Sequence, residues 1–257
     1  MRLGPSRGQG IAHVVCDRVG LNLVRKLART QVYDGLVPLL TKTSAMSECS
    51  EHDHAPSTAA GIGIPRQNEF DPQAFEQAVT DLLHACGIVP DVVHTGKTAR
   101  RVRELWQRRL LGGYDMDPAE ALGEGFDDSR SDMVVVRGIA VHGVCPHHLV
   151  PFRGVAHVAY LPGGRLHGFG RIARMVDSIG HRFTYQEWMT RDIAEALMCH
   201  GRARGAACVV EAEQLCLLLG EDRRGDERVV TQAFTGAFER SDQLRSEFLR
   251  AIDLRAV

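Results

Sequence analysis

The sequence predicts an α+β fold with an antiparallel sheet. Three observations lead to this class. Apolar residues recur at helical spacing over residues 71–113, β-branched runs then come in two pairs, and helical stretches lie between and after these pairs. Strands grouped in pairs, with helices between the pairs, are typical of an antiparallel sheet and not of alternating βαβ units.

The first 70 residues differ from the rest in composition. Residues 1–30 contain six Arg or Lys and a single acidic residue, Asp17. We expect residues 1–45 to form a basic extension, either an amphipathic helix or a poorly ordered segment. Residues 46–70 are rich in Ser, Thr, His, Gly and Pro, a composition that predicts a linker. The compact domain is therefore expected to span residues 71–253.

Two helices are predicted at the start of this domain. Asp71 is a suitable N-cap and Pro72 suits the first helical position, while Gly87 ends the apolar repeat. A second helix is expected from Thr98 to Gly112, because apolar residues again recur at helical spacing.

The remaining elements follow from a change of period after residue 132. The predicted strands are residues 133–136 with 139–144, then 154–161, 206–219 and 228–238. The predicted helices are residues 171–179, 186–198 and 242–252. The turn signal at residues 162–164 predicts a hairpin after the strand 154–161.

Composition excludes several functional classes. Lys and Arg number 31 against 32 Asp and Glu, so a simple polybasic nucleic-acid binder is not expected. No run approaches about 18 apolar residues, so no membrane-spanning helix is expected. Seven cysteines, an odd number, favour a reducing compartment, and we expect the protein to be cytoplasmic.

A cysteine and two histidines form the densest group of reactive side chains. Cys145, His147 and His148 fall within four residues at the end of a predicted strand. Cys145 and His148, three apart across a turn at Pro146, could bind one zinc ion, with Cys216 as the third ligand. Alternatively, both thiols belong to the core and the histidines are surface groups. These residues alone leave both interpretations open.

The surrounding sequence resembles a known enzyme family. Residues 145–152, CPHHLVPF, resemble the Cys-Glu-His-His-Leu-x-Pro-Phe motif of GTP cyclohydrolase I. Residues 168–176, 186–190 and 211–216 resemble further motifs of this family, in the same order and with similar spacing. The resemblance covers about residues 71–253.

The resemblance implies a fold, a reaction and an assembly. The family converts GTP into 7,8-dihydroneopterin triphosphate and formate, beginning with hydrolysis at C8 of guanine. It has the tunnelling fold (T-fold), in which two helices pack on an antiparallel sheet and the sheets of several subunits form a barrel. The family is a homodecamer with active sites between subunits. No nucleic-acid or membrane partner is implied.

The same resemblance assigns residues to the metal and to proton transfer. Cys145, His148 and Cys216 correspond to the zinc ligands, and zinc activates the water that attacks C8. His147 corresponds to a catalytic histidine. Gln214 stands where the family has a second catalytic histidine, and an amide cannot titrate.

Substrate contacts are also implied. Glu187, with Gln186 beside it, would bind the guanine edge. Arg171 and Arg174 would bind the triphosphate through charge-assisted hydrogen bonds. The family has a further arginine where this chain has Gly220. A different residue nearby, Arg223 or Arg224, could supply that charge.

Gln214 leaves the extent of the reaction open at this stage. The full reaction could proceed with His142 or His181 in place of the missing histidine. A specialised relative could stop at a ring-opened formamidopyrimidine or supply a modified-purine or deazapurine pathway. A non-catalytic, zinc-stabilised nucleotide-binding oligomer is a third interpretation, although such a protein would have no need for His147 or Glu187.

Overall fold

The computed structural model describes residues 62–91, 93–220 and 227–252. The predicted basic extension at residues 1–45 and the first part of the predicted linker lie outside the described residues. Arg223 and Arg224 also lie outside them. No helix in the described ranges is long and apolar enough to cross a bilayer.

The first helix of the described residues begins where its cap predicts. Helix α1 spans Pro72–Ala85, and Asp71 Oδ1 accepts hydrogen bonds from the backbone N–H groups of Gln73 and Ala74 at 2.9 and 3.0 Å. These bonds satisfy donors that a helix otherwise leaves free in its first turn. The predicted start of the first helix is therefore confirmed.

The second predicted helix is regular only in its first half. Helix α2 spans Thr98–Leu105, and the chain continues as a π-helical turn at Trp106–Leu110 and a 3₁₀ turn at Gly112–Asp115. A short helix α3, Pro118–Leu122, then leads into the sheet region.

The predicted antiparallel sheet is confirmed. Its strands are β2 (Val134–Val144), β3 (Pro151–Leu161), β5 (Gly205–Gln214) and β6 (Val229–Gly236), in the order β2-β3-β5-β6. Strand β2 has a shift of register between Val136 and Ile139. Gly138 lies in this shift with φ of 76°, a conformation that glycine adopts without steric penalty.

The hairpin predicted after residue 161 is wrong. The chain after that turn forms strand β4, Arg165–Leu166, which pairs with strand β1, Phe126–Asp127. Strand β3 cannot accept it, because β2 and β5 already occupy both of its edges. The hairpin partner of β3 is β2, through the turn formed by residues 145–150.

The last two predicted strands are shorter than expected. Strand β5 ends at Gln214, and Leu215–Leu218 form the short helix α6. Pairing stops because the partner of Gln214 is Phe152, and the residue before it is a proline, which has no N–H to donate. Strand β6 likewise ends at Gly236, and helix α7, Ala237–Arg240, follows.

Two long helices cover one face of the sheet, as predicted. They are α4 (Phe169–Gly180) and α5 (Gln186–Cys199). Met175, Ile179 and Ile193 are fully buried between these helices and the sheet. Helix α8, Asp242–Ile252, packs on the opposite face and buries Phe248. The first turn of α5 and the last residues of β2 and β5 come together at one end of the sheet.

A short segment before helix α1 also contacts the sheet region. The backbone N–H of Ile64 donates to the carbonyl of Phe183 at 2.8 Å, and Tyr114 Oη donates to the carbonyl of Ile64. Phe183 in turn forms a parallel bridge with Val144, the last residue of β2. Residues 62–64 are therefore joined through Phe183 to the end of β2.

Candidate active site

The turn after β2 brings a thiol and an imidazole together. The backbone N–H of Cys145 donates to the carbonyl of Val150, and that of Leu149 donates to the carbonyl of Cys145, both at 2.9 Å. Leu149 has φ of 56°, an uncommon conformation for a residue with a Cβ, and it closes the turn tightly. As a result Cys145 Sγ and His148 Nδ1 lie 3.7 Å apart.

The third candidate ligand follows the end of strand β5. Cys216 lies on helix α6, two residues after Gln214, and not on a strand as the sequence predicts. The ligand atoms of Cys145, His148 and Cys216 all lie within 4.8 Å of one another. Two thiols and an imidazole form a donor set that can hold a metal ion, and they leave a fourth tetrahedral position open.

The pKa of Cys216 depends on its burial and on the neighbouring Cys145. Burial raises the pKa of the Cys216 thiol, and the neighbouring Cys145 raises that pKa further. Two thiolates at this distance repel one another, so the pair resists losing both protons without a cation between them. A bound divalent cation reverses this effect and deprotonates its thiol ligands.

His147 faces a different direction from its neighbour. The His147 and His148 rings are inclined by 80°, and His147 Nε2 lies 3.1 Å from Tyr185 Oη. The ring of Tyr185 packs edge-on against Trp188, with centroids 4.6 Å apart. Tyr185 is not among the residues predicted from the sequence, although it directly precedes the family-like motif at residues 186–190.

Gln186 and Gln214 contact each other directly. Gln186 is 3% exposed, and its Nε2 donates to the carbonyls of Val210 and Val229 at 3.1 and 2.9 Å. Gln214 Nε2 donates to Gln186 Oε1 at 2.6 Å. The Gln186 side chain is thus occupied by groups of the protein itself.

The candidate substrate-binding charges lie on the helix surfaces. Glu187 is exposed in the first turn of α5, where a negative charge interacts favourably with the helix dipole. Arg171 and Arg174 are exposed and three residues apart, so they share one face of α4. Within the described residues, none of the three forms an ion pair.

His142 and His181 contact each other and not the candidate ligands. Their rings stack with centroids 3.8 Å apart, and His142 Nε2 lies 2.9 Å from the carbonyl of Arg109. Burial lowers the pKa of His181 to about 4, and the charges of His142 and Arg109 act in the same direction. His181 is therefore neutral near pH 7, which disfavours it as a substitute proton donor.

Comparison with known proteins identifies the family. The family model for GTP cyclohydrolase I matches residues 75–253. The chain belongs to the GTP cyclohydrolase I family. This membership agrees with the observed sheet and its two covering helices, which are those of the T-fold.

Two bacterial relatives of this family are particularly similar. GTP cyclohydrolase 1 of Ralstonia nicotianae is 70% identical over 205 residues, covering 79% of this chain and 98% of the relative. GTP cyclohydrolase 1 of Chromobacterium violaceum is 67% identical over 208 residues, covering 81% of this chain and all of the relative. Among solved structures, an archaeosine synthase QueF-like protein in the apo form matches 43% of this chain and 98% of its own, at 20% identity and a TM-score of 0.36.

Proposed function

We propose that the protein is a zinc-dependent GTP cyclohydrolase I, which hydrolyses GTP at C8, opens the imidazole ring and yields 7,8-dihydroneopterin triphosphate and formate. The observation that carries the proposal is the cluster of Cys145, His148 and Cys216, with ligand atoms within 4.8 Å, in a member of this family. The relatives at 70% and 67% identity, both named GTP cyclohydrolase 1, favour the complete reaction over an arrested one.

Zinc is the metal that best fits this donor set. Zinc lies about 2.3 Å from sulfur and about 2.0 Å from imidazole nitrogen, so two thiolates and one imidazole around it are separated by about 3.5–3.8 Å. The present separations, all within 4.8 Å, need only a small closure. When bound at such a site, zinc supplies a Lewis acid that activates water near neutral pH.

The residues around this cluster would bind GTP and move protons. His147, held by Tyr185, is the proposed general acid–base group. Glu187 would accept hydrogen bonds from the ring N–H and exocyclic amine of guanine, a pairing that other bases leave unsatisfied. Arg171 and Arg174 would bind the triphosphate, and their lack of ion-pair partners in the described ranges leaves them available for it.

We further propose a cytoplasmic homo-oligomer, a decamer by similarity to the family, with active sites between subunits. Large apolar side chains are exposed on and near α1, including Leu82 at 62%, Val89 at 78% and Val93 at 82%. A concentration of exposed apolar residues is typical of a surface that a partner covers. A reducing cytoplasm would keep the thiols of Cys145 and Cys216 available for zinc.

Product analysis tests this function directly. Purified full-length protein with zinc is incubated with GTP, and the products are followed by mass spectrometry together with a formate assay. We expect GTP to be converted to 7,8-dihydroneopterin triphosphate with about one formate released for each GTP, and a Cys216→Ser variant to form neither product. Accumulation of a ring-opened formamidopyrimidine would contradict the complete reaction, and unchanged GTP with zinc bound would contradict an enzymatic function.

A further inference from the structure

The orientation of the Gln186 amide follows from its neighbours. One end of this amide faces the backbone carbonyl oxygens of Val210 and Val229. Carbonyl oxygens only accept hydrogen bonds, so the atom that faces them must be the NH₂ nitrogen. The Gln186 oxygen is therefore the atom that faces Gln214.

Two threonine hydroxyls complete this arrangement. Thr190 Oγ1 lies 2.7 Å from the Gln186 backbone carbonyl, to which it must donate its single hydrogen. The Thr231 hydroxyl, 2.6 Å from Thr190 Oγ1, must then donate to Thr190. A free lone pair of Thr231 faces Gln186 Nε2 at 3.2 Å, and since this nitrogen has two hydrogens for three acceptors, one hydrogen is shared. Gln186, Thr190 and Thr231 thus form a closed hydrogen-bonded loop, which we call the amide loop.

The amide loop determines which way Gln214 points. Because the Gln186 oxygen can only accept, Gln214 must present its nitrogen, and the 2.6 Å bond between them fits this assignment. The Gln214 nitrogen thus faces Gln186, and the Gln214 oxygen is the terminal atom that does not take part in this bond. In the described parts of the chain, Gln186 is the hydrogen-bond partner of the Gln214 side chain, and the oxygen has none.

The position of Gln214 connects this oxygen with the candidate metal cluster. Gln214 is the last residue of β5, directly before the helix that carries Cys216. It pairs with Phe152, which follows the turn that carries Cys145 and His148. Gln214 therefore lies at the same end of the sheet as the residues that are proposed to hold the metal.

We propose that Gln186, Thr190 and Thr231 are positioning residues for the reaction, and that Gln214 touches the substrate through its carboxamide oxygen. The inference rests on the proposed function and assigns Gln186 a role different from binding guanine. In this arrangement Gln214 accepts a hydrogen bond from an N–H or O–H group of the GTP-derived substrate and exchanges no proton with it. The amide loop stabilises the one orientation in which this oxygen faces the substrate.

A purely structural role for the amide loop makes a different prediction. It would hold β6 against α5, and breaking it would lower stability without changing turnover. Strand β6 offers a matched control, because Thr235 is also buried and donates its hydroxyl to the carbonyl of Ala206 at 3.1 Å. Thr231→Val and Thr235→Val each remove one hydroxyl from the same strand and keep a β-branched side chain.

The test measures kcat and KM for GTP with the zinc-loaded full-length protein. We expect Thr231→Val to lower kcat about tenfold and to change KM less than about twofold. Thr231→Ser, which retains the hydroxyl, should restore kcat, and Thr235→Val should keep the kcat of the wild type. Equal kcat values for Thr231→Val and Thr235→Val, or no rescue by serine, would overturn the inference.

A second variant keeps the test decisive if Thr231→Val fails to fold. Gln214 is only partly buried at the end of β5, so Gln214→Glu should fold. Its carboxylate has no N–H for the Gln186 oxygen, and we expect kcat to fall at least tenfold, to about the level of Gln214→Leu. Full kcat for Gln214→Glu would overturn the inference. A wild-type protein that consumes no GTP would instead contradict the proposed function itself.

Discussion

The hydroxyl of Tyr185 lies 3.1 Å from Nε2 of His147. His147 is the histidine of this turn that does not belong to the candidate metal cluster. The hydroxyl can donate to Nε2 or accept from Nε2–H, so the contact holds the orientation of the ring in either tautomer. Tyr185 thus orients His147, the residue directly before the candidate metal ligand His148.

Removing this hydroxyl should slow turnover without weakening substrate binding. We expect Tyr185→Phe to lower kcat about three- to tenfold at an unchanged KM for GTP, because the ring packing against Trp188 is retained. Tyr114→Phe is the matched control, since it also removes one hydroxyl bond but contacts Ile64. Steady-state kinetics of both variants check this, and similar kcat values would rule out an orienting role for Tyr185.

Metal content should depend on three side chains and not on the other thiols. Wild-type protein is expected to retain about one zinc ion per chain after dialysis, and His148→Ala or Cys216→Ser should retain far less. Cys86→Ser is the control, because Cys86 is a free, exposed cysteine outside the cluster. Elemental analysis by mass spectrometry measures the ratio. A full zinc content in Cys216→Ser would remove Cys216 from the ligand set.

The helix α4 arginines should act on substrate affinity. We expect Arg171→Ala and Arg174→Ala each to raise KM for GTP about tenfold or more, because each removes a charge-assisted contact with phosphate. Arg191→Ala serves as control, since Arg191 is an exposed arginine on α5 that faces Glu195 at 3.8 Å. KM is measured at two salt concentrations, and the wild-type KM should rise with salt. An unchanged KM in both α4 variants would exclude these arginines from the phosphate site.

Asp192 should make stability depend on pH in the sense opposite to most carboxylates. Burial raises the pKa of Asp192 to about 6, from 3.8 for the free side chain, although the N–H of Gly63 partly opposes this. Between pH 3.8 and about 6 the folded protein therefore binds more protons than the unfolded chain. The free energy of unfolding falls as pH rises through this range, because the buried carboxyl group becomes charged. Asp192→Asn should raise Tm at pH 7.5 and leave Tm unchanged near pH 4. Thermal unfolding at both pH values checks this, and an equal change of Tm at both would contradict it.

Local chemistry made part of this structure predictable. The cap at Asp71 and the helical spacing of α4 and α5 depend on neighbouring residues, so the sequence alone gives their position within one or two residues. The proximity of Cys145 and His148 is also local, because a single turn joins them.

The features that were wrong or missed depend on distant partners. Cys216 leaves the strand because the partner strand reaches a proline, and this requires the register between β3 and β5. The amide loop joins Gln186 to Thr231, 45 residues later in the chain. No pattern within either element predicts that contact, since it depends on how β6 lies against α5.

The contact between Ile64 and Phe183 has a practical consequence for shortened versions of the chain. A version that begins at residue 71, the expected start of the compact domain, would lack the N–H that binds Phe183. Phe183 forms the parallel bridge with Val144, and the next residue in the chain is the candidate metal ligand Cys145. A truncated protein intended for crystallisation or assay should therefore begin before Ile62, so that this contact next to the candidate ligand Cys145 is retained.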